Sequence, residues 1–596
     1  RYESTPSGYP LRTLYYDGSS SETKYENGKP IETTDALGRI TRSEHDAAGR
    51  LVRKTYPDGC WEAFEYDAEG QLIASTDKRG FVTRFEYDAR GKLVRTLFAD
   101  GSEVRASYYA DGSLRTETSK TGEVTVYGLD ENRNRISVTN AAGVTHYTYN
   151  YRGHVTSQVD TLNRTNRFEY DSLARQTLRI YPDGSRKSAT FTGRLISSET
   201  DQNGHTTRLY YDALGRLVEV IDPLGATNRF TYDEQGNRTS ATDPLGRTTF
   251  FEYDTMGRLV RTIFPDASTM SRQYDAAGRL IAQVNQLGDV QRFEYDLADN
   301  VVAVTDPLRN ITRSTFDAGG NRISRTDPDG KTTRFEYDAL SRLVRTEFAC
   351  GLVESNEYDL AGRLVAKTDT AGRRAQFKYD IRNQLIEVID PMGRSTAFVY
   401  DAVGNRISEI DAAGQQTLRF YDRLDRLVRT VFPDGSEVRL EYDPAGRVTR
   451  EIDQLGQSKR FEYDAAGRTI ASTDATGQTT RTFYNLAGER TAIADPLGRT
   501  TAFERDLMGR VVRAVFPDGS FESAEYDKAG FPVTTLDSLG NATIYEFDAN
   551  GRRTALIDPL GGRMEYAYDV MGRLVAETDA ERNTTSYQYD CMGRLS

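Results

Sequence analysis

Apolar and polar positions alternate along most of this chain in runs of five or six, broken at regular intervals by glycine. In Arg292-Phe293-Glu294-Tyr295 the two rings fall on one side of an extended backbone and the two charges on the other, the period-two pattern of a strand. No stretch sustains a helical period. The recurring unit reads Tyr-Asp-x-x-Gly-Arg-Leu, a short strand-like run, a second turn such as Asp-Pro-Leu-Gly or Phe-Pro-Asp-Gly, then Thr-x-Arg-Phe-Glu-Tyr. From Tyr211 to Tyr589 the tyrosine slot returns at a constant 21-residue spacing, without insertion or deletion. Upstream the phase runs back through Tyr170, Tyr149, Leu129, Tyr108, Tyr87 and Tyr66 to His45.

Each unit holds two turns. In the first, Tyr253, Asp254, Gly257 and Arg258 make a clean copy, and Tyr295-Asp296, Tyr337-Asp338 and Tyr463-Asp464 with Gly467 repeat it. Asp-x-x-Gly is the signature of a type I turn closed by a left-handed residue, and the Asp side chain accepts amide hydrogens of its own loop. Where the glycine is missing, Asp299, Asn383 and Asp425 stand in, residues that tolerate that backbone region; Ser341, Ala174 and Arg133 fit it less well. The second turn carries its glycine at positions such as Gly435 and Gly519. The chemistry predicts an all-β fold: antiparallel hairpins, two strands per 21-residue repeat and about 54 strands in one meander. Such a sheet must twist and coil. At ~4.8 Å between strands, it would wind about twice around a cylinder of about 40 Å diameter, leaving a hollow interior of roughly 15 Å radius.

Two features depart from the regular rhythm. The aromatic second turns at Tyr181, Phe264, Phe348, Phe432 and Phe516 recur every fourth unit, and they mark either a contact line or block duplication. Between about 108 and 205 the pattern is irregular, an expected seam in a shell spanning residues 24–596 that follows an edge segment over residues 1–23.

Composition narrows the function classes. The chain has 596 residues, 37% hydrophobic, and its mean hydropathy of −0.64 suits a thin sheet better than a stack of aliphatic cores. No run nears the ~18 apolar residues of a membrane helix. The 77 basic and 89 acidic residues are interspersed, which speaks against nucleic acid as a partner. Cys60, Cys350 and Cys591 lie far apart and read as incidental small residues, without a disulfide framework or zinc spacing. The four histidines, His45, His146, His154 and His205, show no ligand spacing, so no catalytic site, cofactor or metal is expected, and the chain reads as a non-enzyme. The repeated arginines, Arg216, Arg258, Arg510 and Arg573 among them, are expected to pair with acidic neighbours on adjacent strands, and the tyrosines to pack across strands.

Tyr-Asp-x-x-Gly-Arg-Leu at 21-residue spacing resembles the YD repeats of Rhs proteins, of the BC component of insecticidal Tc toxins and of teneurins. The resemblance covers residues 24–596. It implies a β-shell, or cocoon, spiralling around a cavity that sequesters a C-terminal toxin polypeptide. It also implies end-plug domains, a secretion-machinery adaptor and export from a bacterial cell, commonly by type VI secretion in interbacterial competition. Asp222-Pro223-Leu224-Gly225 and Asp558-Pro559-Leu560-Gly561 come near the family's closing motif but sit in the ordinary second-turn slot and read as turns. With that motif absent and the last repeat cut short, the chain reads as a fragment. A cell-surface adhesin or carbohydrate-binding array is the alternative; choline-binding-type repeats of similar length lean on Trp, and this chain has only Trp61.

Overall fold

The computed structural model describes residues 2–596 and is a single antiparallel sheet of 57 strands, from Tyr2–Ser4 to Thr584–Ser586. Each strand pairs with the strand before it and the strand after it in the chain. The strands at 2–4, 10–14 and 20–26 continue the same meander ahead of the regular repeats, which is why the number exceeds 54.

One asymmetry makes this ribbon coil. In the hairpin of strands Val290–Tyr295 and Val301–Thr305, Arg292 faces Thr305, Phe293 faces Val304 and Glu294 faces Ala303, and a bulge then intervenes before Tyr295 meets Val301. The next pairing, Val304 with Thr312 and Thr305 with Ile311, has no bulge. The same bulge recurs at the first-turn hairpins before and after, for example at Glu252/Tyr253 and Glu336/Tyr337. A bulge bends its strand and sharpens the local twist. Placed along one edge of a ribbon once per repeat, it turns a meander into a spiral.

The two faces of the ribbon differ. One carries cross-strand ion pairs such as Arg95–Glu86 (2.8 Å), Arg345–Glu336 (2.6 Å) and Lys378–Glu387 (2.7 Å). The other carries mostly half-buried Phe, Tyr, Val and Thr side chains, such as Phe251 and Tyr253, with Thr262 buried opposite Phe251. Among the described residues no second layer covers either face. The buried hydrophobic side chains among them are all alanines, such as Ala303, Ala471 and Ala555, set mid-strand beneath longer neighbours. A compact monomer of 66.9 kDa would expose about 21,000 Å². This chain exposes 33651 Å², as a wall with two wetted faces must.

The irregular stretch at 108–205 keeps its strands, but two of its hairpins turn on only two residues, between Asn140 and Gly143 and between Thr192 and Leu195. Each tight turn removes residues from a repeat, which accounts for the shifted phase.

Candidate functional site

Turn chemistry builds the edges of the ribbon. In the first turn at 254–258, Asp254 Oδ1 accepts the amides of Met256 and Arg258 at 2.9 and 3.0 Å, and Oδ2 accepts Arg258 Nε at 2.6 Å. Gly257 closes the loop at φ +74°. The Arg258 guanidinium lies over the Tyr274 ring of the next unit, 5.3 Å from its centre, and donates to the Asp275 carbonyl at 3.0 Å. Tyr253 donates its hydroxyl to the Arg238 carbonyl at 2.9 Å. The same set holds Tyr295, Asp296, Tyr337, Asp338, Tyr463, Asp464 and Gly467: each tyrosine hydroxyl binds the carbonyl fifteen residues earlier and each aspartate caps its own loop. Gly435 and Gly519 close second turns at φ +82° and +85°. Arg133, Ala174 and Ser341 adopt the left-handed conformation as well, at φ 65°, 67° and 63°. The arginine that follows the turn thus takes as its carboxylate the aspartate four residues before it, not an acidic neighbour on an adjacent strand. The reason is reach: Nε and the loop carboxylate already face each other once the turn forms.

The edges then meet one another. Second turns contact first turns that lie 240–261 residues further along. Arg39, in a second turn, holds its own Asp35 at 2.7 Å and, through two nitrogens, Asp299 at 2.6 and 3.3 Å. Arg164 holds Asp160 and Asp425 at 2.7 Å each. Arg247 bridges Asp243 and Glu489, Arg79 donates to the carbonyls of Asp338 and Ala339, and Asn203 binds Asp443. Successive coils of the ribbon are therefore stacked edge on edge, each carrying 23–25 strands. At ~4.8 Å per strand the circumference is roughly 115 Å and the diameter at least ~37 Å, since any strand tilt only widens it.

Four aromatic turns of the four-unit series, those that begin at Tyr15, Phe98, Tyr181 and Phe264, are clamps in this stack. There the aspartate has moved from the first position of the turn to the third. Its Oδ1 accepts from the serine two residues on, and its Oδ2 points off the edge. Asp17, Asp100, Asp183 and Asp266 meet Arg258, Arg342, Arg426 and Arg510 at 3.6, 3.2, 3.9 and 3.8 Å. Successive clamps stand eight strands apart, so three fall on each coil. Block duplication does not explain that alignment, whereas a coil three clamp intervals long does. The four-unit rhythm is plain in the sequence but the clamp is not; a search for Asp–Arg pairs as widely separated as Asp100 and Arg342 would have found it.

The reading of the cysteines is overturned at the same place. Cys350 occupies the third turn position, where the clamps have Asp, and forms a disulfide with Cys591, 241 residues away, at a Cα separation of 5.8 Å. Distance along the chain suggested incidental residues; one coil of the spiral brings them together. Cys60 is the free cysteine. The histidines stay apart: His205 lies 3.3 Å from Asp201, His154 packs beside Tyr170, and among the described residues no group of three metal-binding side chains forms.

Coverage by the next coil sets exposure. Arg39 and Arg164 keep 13% and 12% of their side chains exposed, while Arg373, in an equivalent turn of the last coil, keeps 70%. Replacing Arg39 with Ala is expected to lower stability by roughly 1–2 kcal/mol, the worth of its charge-assisted bonds after solvent screening. Arg373→Ala is expected to leave the urea midpoint unchanged, and equal effects of the two would contradict the joint. The joints also respond to acid. Burial raises the carboxyls of Asp299 and Asp425, but the guanidiniums of Arg39 and Arg279, and of Arg164, outweigh it and hold both below the ordinary 3.8. Such groups stabilise the folded coil fully above the unfolded value and lose that contribution as pH falls through the lower folded one. Stability is expected to decline from about pH 4 downwards, read as a falling urea midpoint.

The family comparisons agree with this architecture. The teneurin YD-shell family matches residues 134–291 and 426–595, more than half the chain, and the RHS repeat matches six stretches from residue 25 to residue 416. No curated protein matches. Among solved structures, TcdB2-TccC3-TEV is similar over 97% of this chain and 44% of its own, with a TM-score of 0.64 at 13% identity. The Photorhabdus luminescens Tc holotoxin pore is similar over 99% and 43%, with a TM-score of 0.59 at 13% identity. TcdB2-TccC3 without its hypervariable C-terminal region gives 99% and 44%, with 0.56 at 12%. The chain spans less than half the length of each. Repeat, hollow coiled sheet and family match coincide, and the chain belongs to the YD-shell family of RHS-repeat proteins.

Proposed function

We propose that this chain is a non-catalytic wall that encloses a toxin or effector polypeptide and keeps it from its target and from proteases. The observation that carries this reading is the stacked coil. A sheet ~10 Å thick wound to a diameter of at least ~37 Å leaves a lumen at least about 13 Å in radius. A folded domain of ~100 residues has a radius of gyration near ~13 Å, and its outer radius is larger still. Even at this smallest width the lumen takes an extended or unfolded chain.

Enclosure acts sterically, so the wall needs no reactive side chain. The Tc toxin structures that share the fold support a secreted toxin assembly. Delivery out of a bacterial cell belongs to the same reading, with type VI secretion as the proposed route, end plugs and an adaptor as its partners, and an enclosed C-terminal polypeptide as its cargo.

The test appends an unstructured reporter polypeptide after Ser596 and follows its digestion by a protease. Protection relative to the free reporter is expected, and it should be lost when acid loosens the coil joints. Digestion at the rate of the free reporter would overturn the reading.

A further inference from the structure

Strand Thr584–Ser586 is three residues long and exposed throughout, and the hairpin after it is held within its own coil by a bridge between Tyr589 and Leu595, by the Ser596 amide on the Gln588 carbonyl and by the Tyr589 hydroxyl on the Leu574 carbonyl. Every other aromatic turn of the four-unit series that faces a later coil holds it with a carboxylate on an arginine, an attachment that solvent and salt weaken. At this one joint the Asp is replaced by Cys350, and the opposite turn, residues 590–594, supplies Cys591. Arg594, the residue a clamp would use, stands as far beyond Cys350 as Arg510 stands beyond Asp266. It binds its own Asp590 and is otherwise solvent-facing.

We infer that the Cys350–Cys591 disulfide is a redox latch, which fastens the hairpins of residues 574–596 to the coil beneath them and releases them when a thiol reductant is met. Cys350 is exposed and Cys591 half-buried, so a small thiolate reaches the bond from solvent. Attack on one sulfur forms a mixed disulfide and expels the other as a thiolate. A second thiol then attacks the mixed disulfide and expels the remaining protein sulfur. Two low-molecular-weight thiols are oxidised to their disulfide, and the two protein sulfurs take up the two protons. Cys60 does not compete: burial first, and then the neighbouring Asp58, push its thiol up and keep it protonated. The latch exploits a difference between compartments, since a disulfide persists outside cells and is reduced in the cytosol. It goes beyond enclosure and holds whatever the wall contains.

The test uses the full chain, oxidised and after treatment with glutathione. Differential alkylation under denaturing conditions should find one free thiol in the oxidised chain and three in the reduced one. Amide exchange over residues 574–596 should quicken about tenfold on reduction while the hairpins before residue 560 keep their protection, which shows that the wall itself is intact. The Cys350→Ser/Cys591→Ser chain should behave as the reduced form under oxidant. The Cys350→Asp/Cys591→Ser chain should regain part of the protection through Arg594, insensitive to thiols, and lose it in acid. Three alkylatable thiols in the oxidised chain, unchanged exchange on reduction, or full protection in the double serine variant would each overturn the latch.

Discussion

The aspartate carboxylate of the turn is what this structure depends on. A single-layer sheet has no interior in which to bury Leu or Phe, and the buried hydrophobic positions among the described residues are alanines. Cohesion therefore comes from hydrogen bonds along the ribbon and from charge at its edges. In the first turns that read Asp-x-x-Gly-Arg, such as 254–258, one carboxylate satisfies two amides with one oxygen and a guanidinium with the other, so that the arginine is fixed before any neighbour arrives. Once fixed, its remaining nitrogens are aimed at the next turn and, at every fourth unit, at the coil beneath. The same side chain sets the hairpin, tethers its neighbour and stacks the coil.

Geometry follows from two offsets. Bulges confined to the first-turn hairpins bend the ribbon one way, and about 24 strands complete a circuit. Three blocks of four repeats span nearly the same length, which brings an aspartate-bearing aromatic turn of one coil over an arginine of the next. Repeat length, bulge placement and the four-unit rhythm thus serve one shape. The cysteine pair sits within this scheme, at the single clamp position among those covered by a later coil that carries no aspartate.

Much of this was legible in the sequence. The alternation in Arg292–Tyr295, the glycine spacing and the Asp-x-x-Gly loops announced strands, turns and a coiled hollow wall, because each is encoded within a single repeat. What could not be seen was encoded across a circuit. The partners of Arg39, Asp100 and Cys350 lie a full coil away, and that distance depends on how many strands close a turn, a sum of small twists that no local pattern states. The own-turn partner of Arg258, Asp254, stands four residues before it in the same Asp-x-x-Gly-Arg motif and is therefore encoded within one repeat. The left-handed backbone at Ala174 and Ser341 shows the repeat overriding residue preference, since the hairpins on either side dictate the loop between them.

The central claim is that edge-stacked coils form a wall one sheet thick around a central space. Electron cryomicroscopy of the isolated chain tests it most directly. End-on views should show a ring with a density-free centre, and side views should show about two stacked bands. A filled disc, or two sheets packed face to face across the axis, would contradict it.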